Sequence, residues 1–213
     1  MRIFGLLGAA LLAGVLASGP ASAAADKPYG LRGTLINIDD RIVTVMNDDE
    51  ETFEAALTDD TGVFAVTPAK WSDIQPGQFV GITSVESGDQ RVALEVHIFA
   101  PDLRGTGEGH YPWDLIKDPN MMTNATVAEV KEVSPAARQL RLTYKEGKEE
   151  NAVQGEQVIT VPDFVDVVYL AKSDDPGLVA PDRKVFLLVK DREQGPPAAI
   201  AIAVGMEGAM PPM

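Results

Sequence analysis

The sequence has no cysteine, only two histidines and two tryptophans, and 18 basic residues against 32 acidic ones. Each scarcity removes a class of chemistry. Without thiols there is no disulfide, no cysteine nucleophile and no thiolate metal centre, so stability rests on a buried core. His97 and His110 are the only imidazoles, and no G-x-S-x-G elbow occurs, which leaves nucleophilic catalysis with little to draw on. The formal charge of −14 repels phosphate backbones and anionic lipid heads and attracts cations, so a nucleic-acid partner is not expected. The glycines of "GTGEG" (105–109) lack dinucleotide-fingerprint spacing, and Pro112 follows where a helix would have to open. No spacing singles out a catalytic carboxylate pair. An enzyme is not expected.

Long apolar runs are scarce as well. One begins at Ile3 and ends near Leu16, behind Arg2 and ahead of the small residues of "GPASAAA". Positive start, short apolar centre and small residues before Ala23 or Ala24 give the three-part layout of a cleavable signal peptide over residues 1–23. The competing reading is an uncleaved anchor. No cysteine follows for lipid attachment, and no second long apolar run appears, so the expectation is a soluble protein of the periplasm with no membrane span in the mature chain. Its charge becomes −15 on losing Arg2.

What remains, beyond a short lead at 24–30, is dominated by strand signals. "LRGTLINI", "RIVTVM", "ETFEAAL", "GVFAVT", "QFVGITS" and "RVALEVHIF" are short, rich in Val, Ile, Thr or Phe, and bounded by turn residues. The acidic clusters at 39–40, 47–50, 59–62 and 86–89 lack the alternating ligands of a calcium loop and read as hairpin turns. In "IQPGQFV", Pro76 presets φ for the first central turn position and Gly77 supplies positive φ for the second. The preceding "KWSDI" predicts one helical turn capped by Ser72. In "RVALEVHIF", alternation places His97 opposite Val92, Leu94, Val96 and Ile98, on the solvent or linker side.

The second half repeats the first. "GTLINI" (33–38) corresponds to "ATVAEV" (125–130), "IVTV" (42–45) to "LRLT" (140–143), "IQPGQFVGI" (74–82) to "VAPDRKVFL" (179–187), and "LEVHI" (94–98) to "IAIAV" (200–204). The offset grows from about 92 to about 106 residues, as insertions in turns would produce. The expected fold is all-β: two tandem small OB-like β-barrels, at 31–99 and 123–205, joined by a linker at 100–122 and followed by a Met/Pro tail at 206–213. Closure into barrels removes exposed strand edges.

The series "GTLINIDDRIVTV", "SDIQPGQFVGI" and "ALEVHIF" resembles a family of exported bacterial OB-like β-barrel domains of unknown function. The match is good over 31–99 and looser in the second copy, where Asp182 replaces the turn glycine. The linker "RGTGEGHYPWD…MMTNATV" resembles a segment of two-copy alphaproteobacterial members. The resemblance implies a small barrel fold and an exported location. Some relatives carry a metal-transport label, but a permease needs several membrane spans and this chain offers none.

Residues 105–114 hold the densest group of uncommon residues. Gly105, Gly107 and Gly109 let the chain turn closely against a surface, and Tyr111, Pro112 and Trp113 give it apolar purchase, so the stretch reads as an inter-domain clasp. "PWDLIKD" predicts a helical turn before Pro119. The alternative is a copper site, because imidazole and thioether ligands together suit that metal. Its candidate ligands are His110, Met121 and Met122 in the linker and Met206, Met210 and Met213 in the tail. The structural alternative has these methionines filling gaps. The favoured expectation is a non-enzymatic binding or scaffolding module with no cofactor and a protein partner in the cell envelope; the sequence leaves the oligomeric state open.

Overall fold

A computed structural model describes residues 27–147, 151–175 and 177–211. The proposed signal peptide (1–23), part of the lead and Met213 lie outside the described residues. Among the described residues twelve β-strands follow one another: β1 (Tyr29–Asp39), β2 (Ile42–Met46), β3 (Thr52–Ala69), β4 (Phe79–Ser87), β5 (Gln90–Phe99), β6 (Gly109–Trp113), β7 (Asn120–Ser134), β8 (Ala137–Glu146), β9 (Val153–Pro162), β10 (Val167–Lys172), β11 (Lys184–Lys190) and β12 (Ala198–Gly205). Among the described residues the only helical pieces are two 3-10 turns, Trp71–Asp73 and Pro101–Leu103. The first is held by the Asp73 carboxylate, which accepts the Lys70 N–H at 2.8 Å. Ser72, the expected cap, does not make that bond.

The strands close into circuits that cross the sequence boundary. β1, β2 and β3 pair in order, β11 joins β1, β12 joins β11, and β12 returns to β3. In the same way β7, β8 and β9 pair in order, β4 joins β7, β5 joins β4, and β5 meets β9 at Arg91–Ile159 and Val92–Thr160. Each circuit thus takes three strands from one repeat and two from the other. The division at 31–99 and 123–205 therefore does not describe the pairing. The alternating apolar pattern fixes which face of β4, β5, β11 and β12 is buried, and either core accepts that pattern.

The two halves share strand registers. Thr34 faces Lys184 where Thr126 faces Phe79, and Leu31 faces Leu187 where Thr123 faces Ile82. A bulge falls between Leu35 and Asn37 in β1, and another between Val127 and Glu129 in β7. Only the second strand needs shifting: Val45 faces Leu35 and Leu142 faces Val127, so "IVTV" aligns one residue earlier than "LRLT".

The two circuits meet through β3 and β10, which pair antiparallel so that Phe64 faces Lys172 and Ala69 faces Val167. Exchanging the two repeats maps this ladder onto itself, which places a local twofold between the two strands. Leu35, Val43, Leu187, Ile202 and Val204 form one barrel core, and Val80, Ile82, Val96, Leu140, Leu142 and Ile159 form the other. A third cluster, with Phe79, Phe99, Leu170 and Phe186, fills the seam between them. Burying a side chain of this size contributes roughly 1.5–3 kcal/mol, so the seam is a core in its own right.

Candidate functional site

The chain leaves β5 and crosses the seam. The Arg104 guanidinium lies 5.8 Å above the Phe79 ring, donates to Thr126 Oγ1 at 3.0 Å and also donates to the Gly77 carbonyl. Gly105, Gly107 and Gly109 all have positive φ, at 87°, 58° and 145°. Gly107 has no room for a side chain, since a Cβ there would come 2.9 Å from Asn124 Nδ2. That amide holds the corner together by donating to the carbonyls of Thr106 (3.3 Å) and Gly107 (3.2 Å) and to Tyr111 Oη (3.1 Å).

Residues 109–113 then form β6, an edge strand on β7, where Pro112 lacks the N–H that a foreign strand would need. Tyr111 stands edge-on to Trp113 at 6.1 Å, Trp113 lies 6.4 Å from Phe186 on β11, and Asp114 pairs with Arg32 on β1 at 2.9 Å. The segment ties the two circuits together. The expected helical turn before Pro119 does not form. Asn120 organises that loop instead, accepting the Leu115 N–H and donating to the carbonyls of Ile116 and Asp118.

Of the candidate copper ligands, His110 and Met121 share one face of the β6–β7 pair, and the other described ones lie elsewhere. His110 is half-buried, with Nδ1 2.8 Å from Thr123 Oγ1 and its ring 6.2 Å from Tyr144. Burial, then the charge of Arg91, lowers its pKa, and Glu146 opposes them. Met121 faces Pro112 on the His110 side of β7, whereas Met122 faces Tyr111 on the other side and is buried. Met206 packs on the β1–β12 core, and Met210 is 56% exposed beside the β9–β10 loop. The described methionines and His110 do not converge on one point.

His97 departs from expectation. It is fully buried, because its face of β5 is turned into the seam. The ring stands edge-on to Phe99 at 4.7 Å, and burial pushes its pKa down to about 3. Neither ring nitrogen has a hydrogen-bond partner among the described residues, and neither does Asn124 Oδ1. Gly81 makes the room: a Cβ there would lie 2.0 Å from His97 Nε2. In the other repeat, Phe186 and Ala203 are the facing pair, so the bulk sits on the opposite strand.

A second concavity lies at the foot of the local twofold, where Pro68, Ala69 and Trp71 face the β9–β10 loop and the tail segment 207–210. It encloses about 670 Å³. Phe164 sits in that loop between the lining residues Asp163 and Val165 and is 80% exposed. Trp71 is held from behind by Arg138, whose guanidinium lies 4.9 Å over the ring and donates to the Trp71 carbonyl at 3.0 Å. Its indole N–H is buried without a partner among the described residues. Sequence reasoning treated Trp71 only as part of a helical turn and passed over Phe164. The available signal was an aromatic between turn residues in "PDFVD", where an exposed connecting loop needs none.

No family model, curated protein or solved structure matches this chain.

Proposed function

We propose that the protein is a non-enzymatic binding or scaffolding module of the bacterial cell envelope, exported to the periplasm by residues 1–23 and built from a duplicated OB-like unit. The observation that carries this reading is Phe164, a large aromatic left 80% exposed beside an apolar groove with Met210 also exposed. Leaving such side chains in water forgoes stability, and a contiguous apolar patch rimmed by charge is the mark of a surface that another molecule covers. The support beneath the patch is rigid: the β3–β10 ladder, the seam core and the Trp71–Arg138 stack fix its shape before binding.

The test is chemical crosslinking of the full chain in its native bacterium, followed by recovery through an affinity tag and fractionation of the envelope. A defined protein partner recovered from the periplasmic fraction is the expected result. Repeated recovery of the chain alone, together with turnover of an envelope substrate by the purified protein, would overturn the proposal.

A further inference from the structure

The local twofold supplies an internal comparison for the groove. Val66 and Leu170 correspond, since their carbonyls accept the equivalent N–H groups of Met206 and Ala100 and they face each other in the β3–β10 ladder, so counting onward Trp71 corresponds to Asp175. The β9–β10 loop that carries Phe164 corresponds to the bulge in β3 near Asp59–Thr61, where pairing with β12 shifts between Ala199 and Ala201. That second concavity does exist. It is lined by Asp59, Thr61, Lys172, Ser173, Asp174 and Asp175, with Val63 its one apolar member, and has a volume of about 300 Å³, less than half the other.

In the first repeat the bulge is closed on itself. Thr61 Oγ1 accepts the Thr58 N–H at 2.8 Å and donates to the Ala199 carbonyl at 2.7 Å, and Arg41 pairs with Asp59 at 2.6 Å. The same place in the same fold thus exists in two versions. One is small, polar and internally bonded; the other is larger, floored by Trp71 and open beside Phe164. Trp71 also packs partly against a barrel core, but Phe164 is left 80% exposed, so the aromatic at that loop is the feature that answers to something outside the chain.

The rim narrows what that is. Among the described residues, Asp163, Asp166 and Glu207 line the apolar groove with a single base, Lys70. A second copy would bring like charges together, and an anionic lipid surface would be repelled. We infer that the groove binds a segment of a partner protein that inserts an apolar side chain beside Phe164 and Trp71 and flanks it with Lys or Arg. The inference rests on the binding-module reading above and names its surface and the partner's chemistry.

The experiment places the photocrosslinking amino acid p-benzoylphenylalanine at position 164 of the full chain in the native bacterium, and in a separate strain at position 60. Linked peptides are then sequenced by mass spectrometry. The expected product forms at 164 and not at 60, and its linked residue is apolar with Lys or Arg close by. Adding the exposed change Met210→Asp lowers its yield about tenfold or more. Linkage to an acidic or uncharged peptide, to lipid or to a second copy of this chain overturns the inference. So does an empty result at 164 when chemical crosslinking still recovers a partner, an outcome that leaves the module reading standing. No partner by either method removes both.

Discussion

Gly77 and Asp182 occupy the same turn in the two repeats and share its left-handed backbone, with φ of +88° and +66°. The Gly77 N–H donates to the Val127 carbonyl, and the Asp182 N–H to the Leu35 carbonyl, each at 2.8 Å. Glycine adopts this conformation without strain, whereas an aspartate adopts it at a cost of up to about 1 kcal/mol. Asp182→Gly is therefore expected to raise the urea midpoint by up to about that free energy, with the m-value unchanged. Gly77→Asp should lower it by a similar amount.

His97 makes stability depend on acid. Its folded pKa is depressed to about 3, whereas the unfolded chain takes up a proton near 6.5. Above pH 6.5 both states are neutral at this site and it contributes no slope. As pH falls from 6.5 towards 3 the unfolded state binds the extra proton, and stability declines, by on the order of 4 kcal/mol over the whole window. His97→Leu removes this component and leaves only what the carboxylates contribute. Urea midpoints measured across that window should fall less steeply in the variant; parallel curves would show that His97 protonates freely in the native protein.

Gly81 and His97 share one space. Gly81→Ala drives a Cβ to 2.0 Å from the imidazole and 2.5 Å from Asn124 Oδ1, and overpacking in a closed core costs roughly 1–3 kcal/mol. The double change Gly81→Ala with His97→Ala moves the bulk as Phe186 and Ala203 do. It is expected to be less destabilised than the sum of the two single changes. Additive losses in the double-mutant cycle would count against direct contact.

The crossed strand pairing predicts how a cut chain behaves. A protease site placed in the loop 114–119 divides the protein between the repeats. The two pieces should co-elute in size exclusion and separate only in denaturant, because β4 and β5 remain built into the circuit of β7–β9. Trp113→Ala with Asp114→Ala removes the contacts to Phe186 and Arg32, and the pieces should still co-elute. Separation in native buffer would indicate circuits that each close within one repeat.

Strand identity was legible because Val43, Val45, Leu140 and Leu142 alternate with polar residues, and "IQPG" and "VAPD" each end on a turn residue with positive φ, Gly77 and Asp182. Which strands close on which was not. β4 and β11 present equivalent apolar faces, so no local pattern selects between their possible partners; linker geometry and the β3–β10 ladder decide. The same blindness misplaced His97. Alternation gave its face correctly, and the apolar seam covering that face arises only when both repeats are assembled. The corner at 105–114 could be read from its glycines and aromatics, whereas Phe164 offered only an aromatic among turn residues, and the groove that gives it meaning includes Trp71, which is 93 positions earlier.

The crossed topology also imposes an order on chain assembly. Tyr29 pairs with Val189, so the first barrel to begin is among the last things to be finished, and an emerging amino-terminal half holds three strands with no lid and two with no host. Such long-range closure slows folding and leaves unpaired edges waiting. On the proposed export route, a polypeptide that crosses a membrane as an extended thread gains from that delay: the circuit of β1, β2 and β3 cannot close before β11 and β12 arrive.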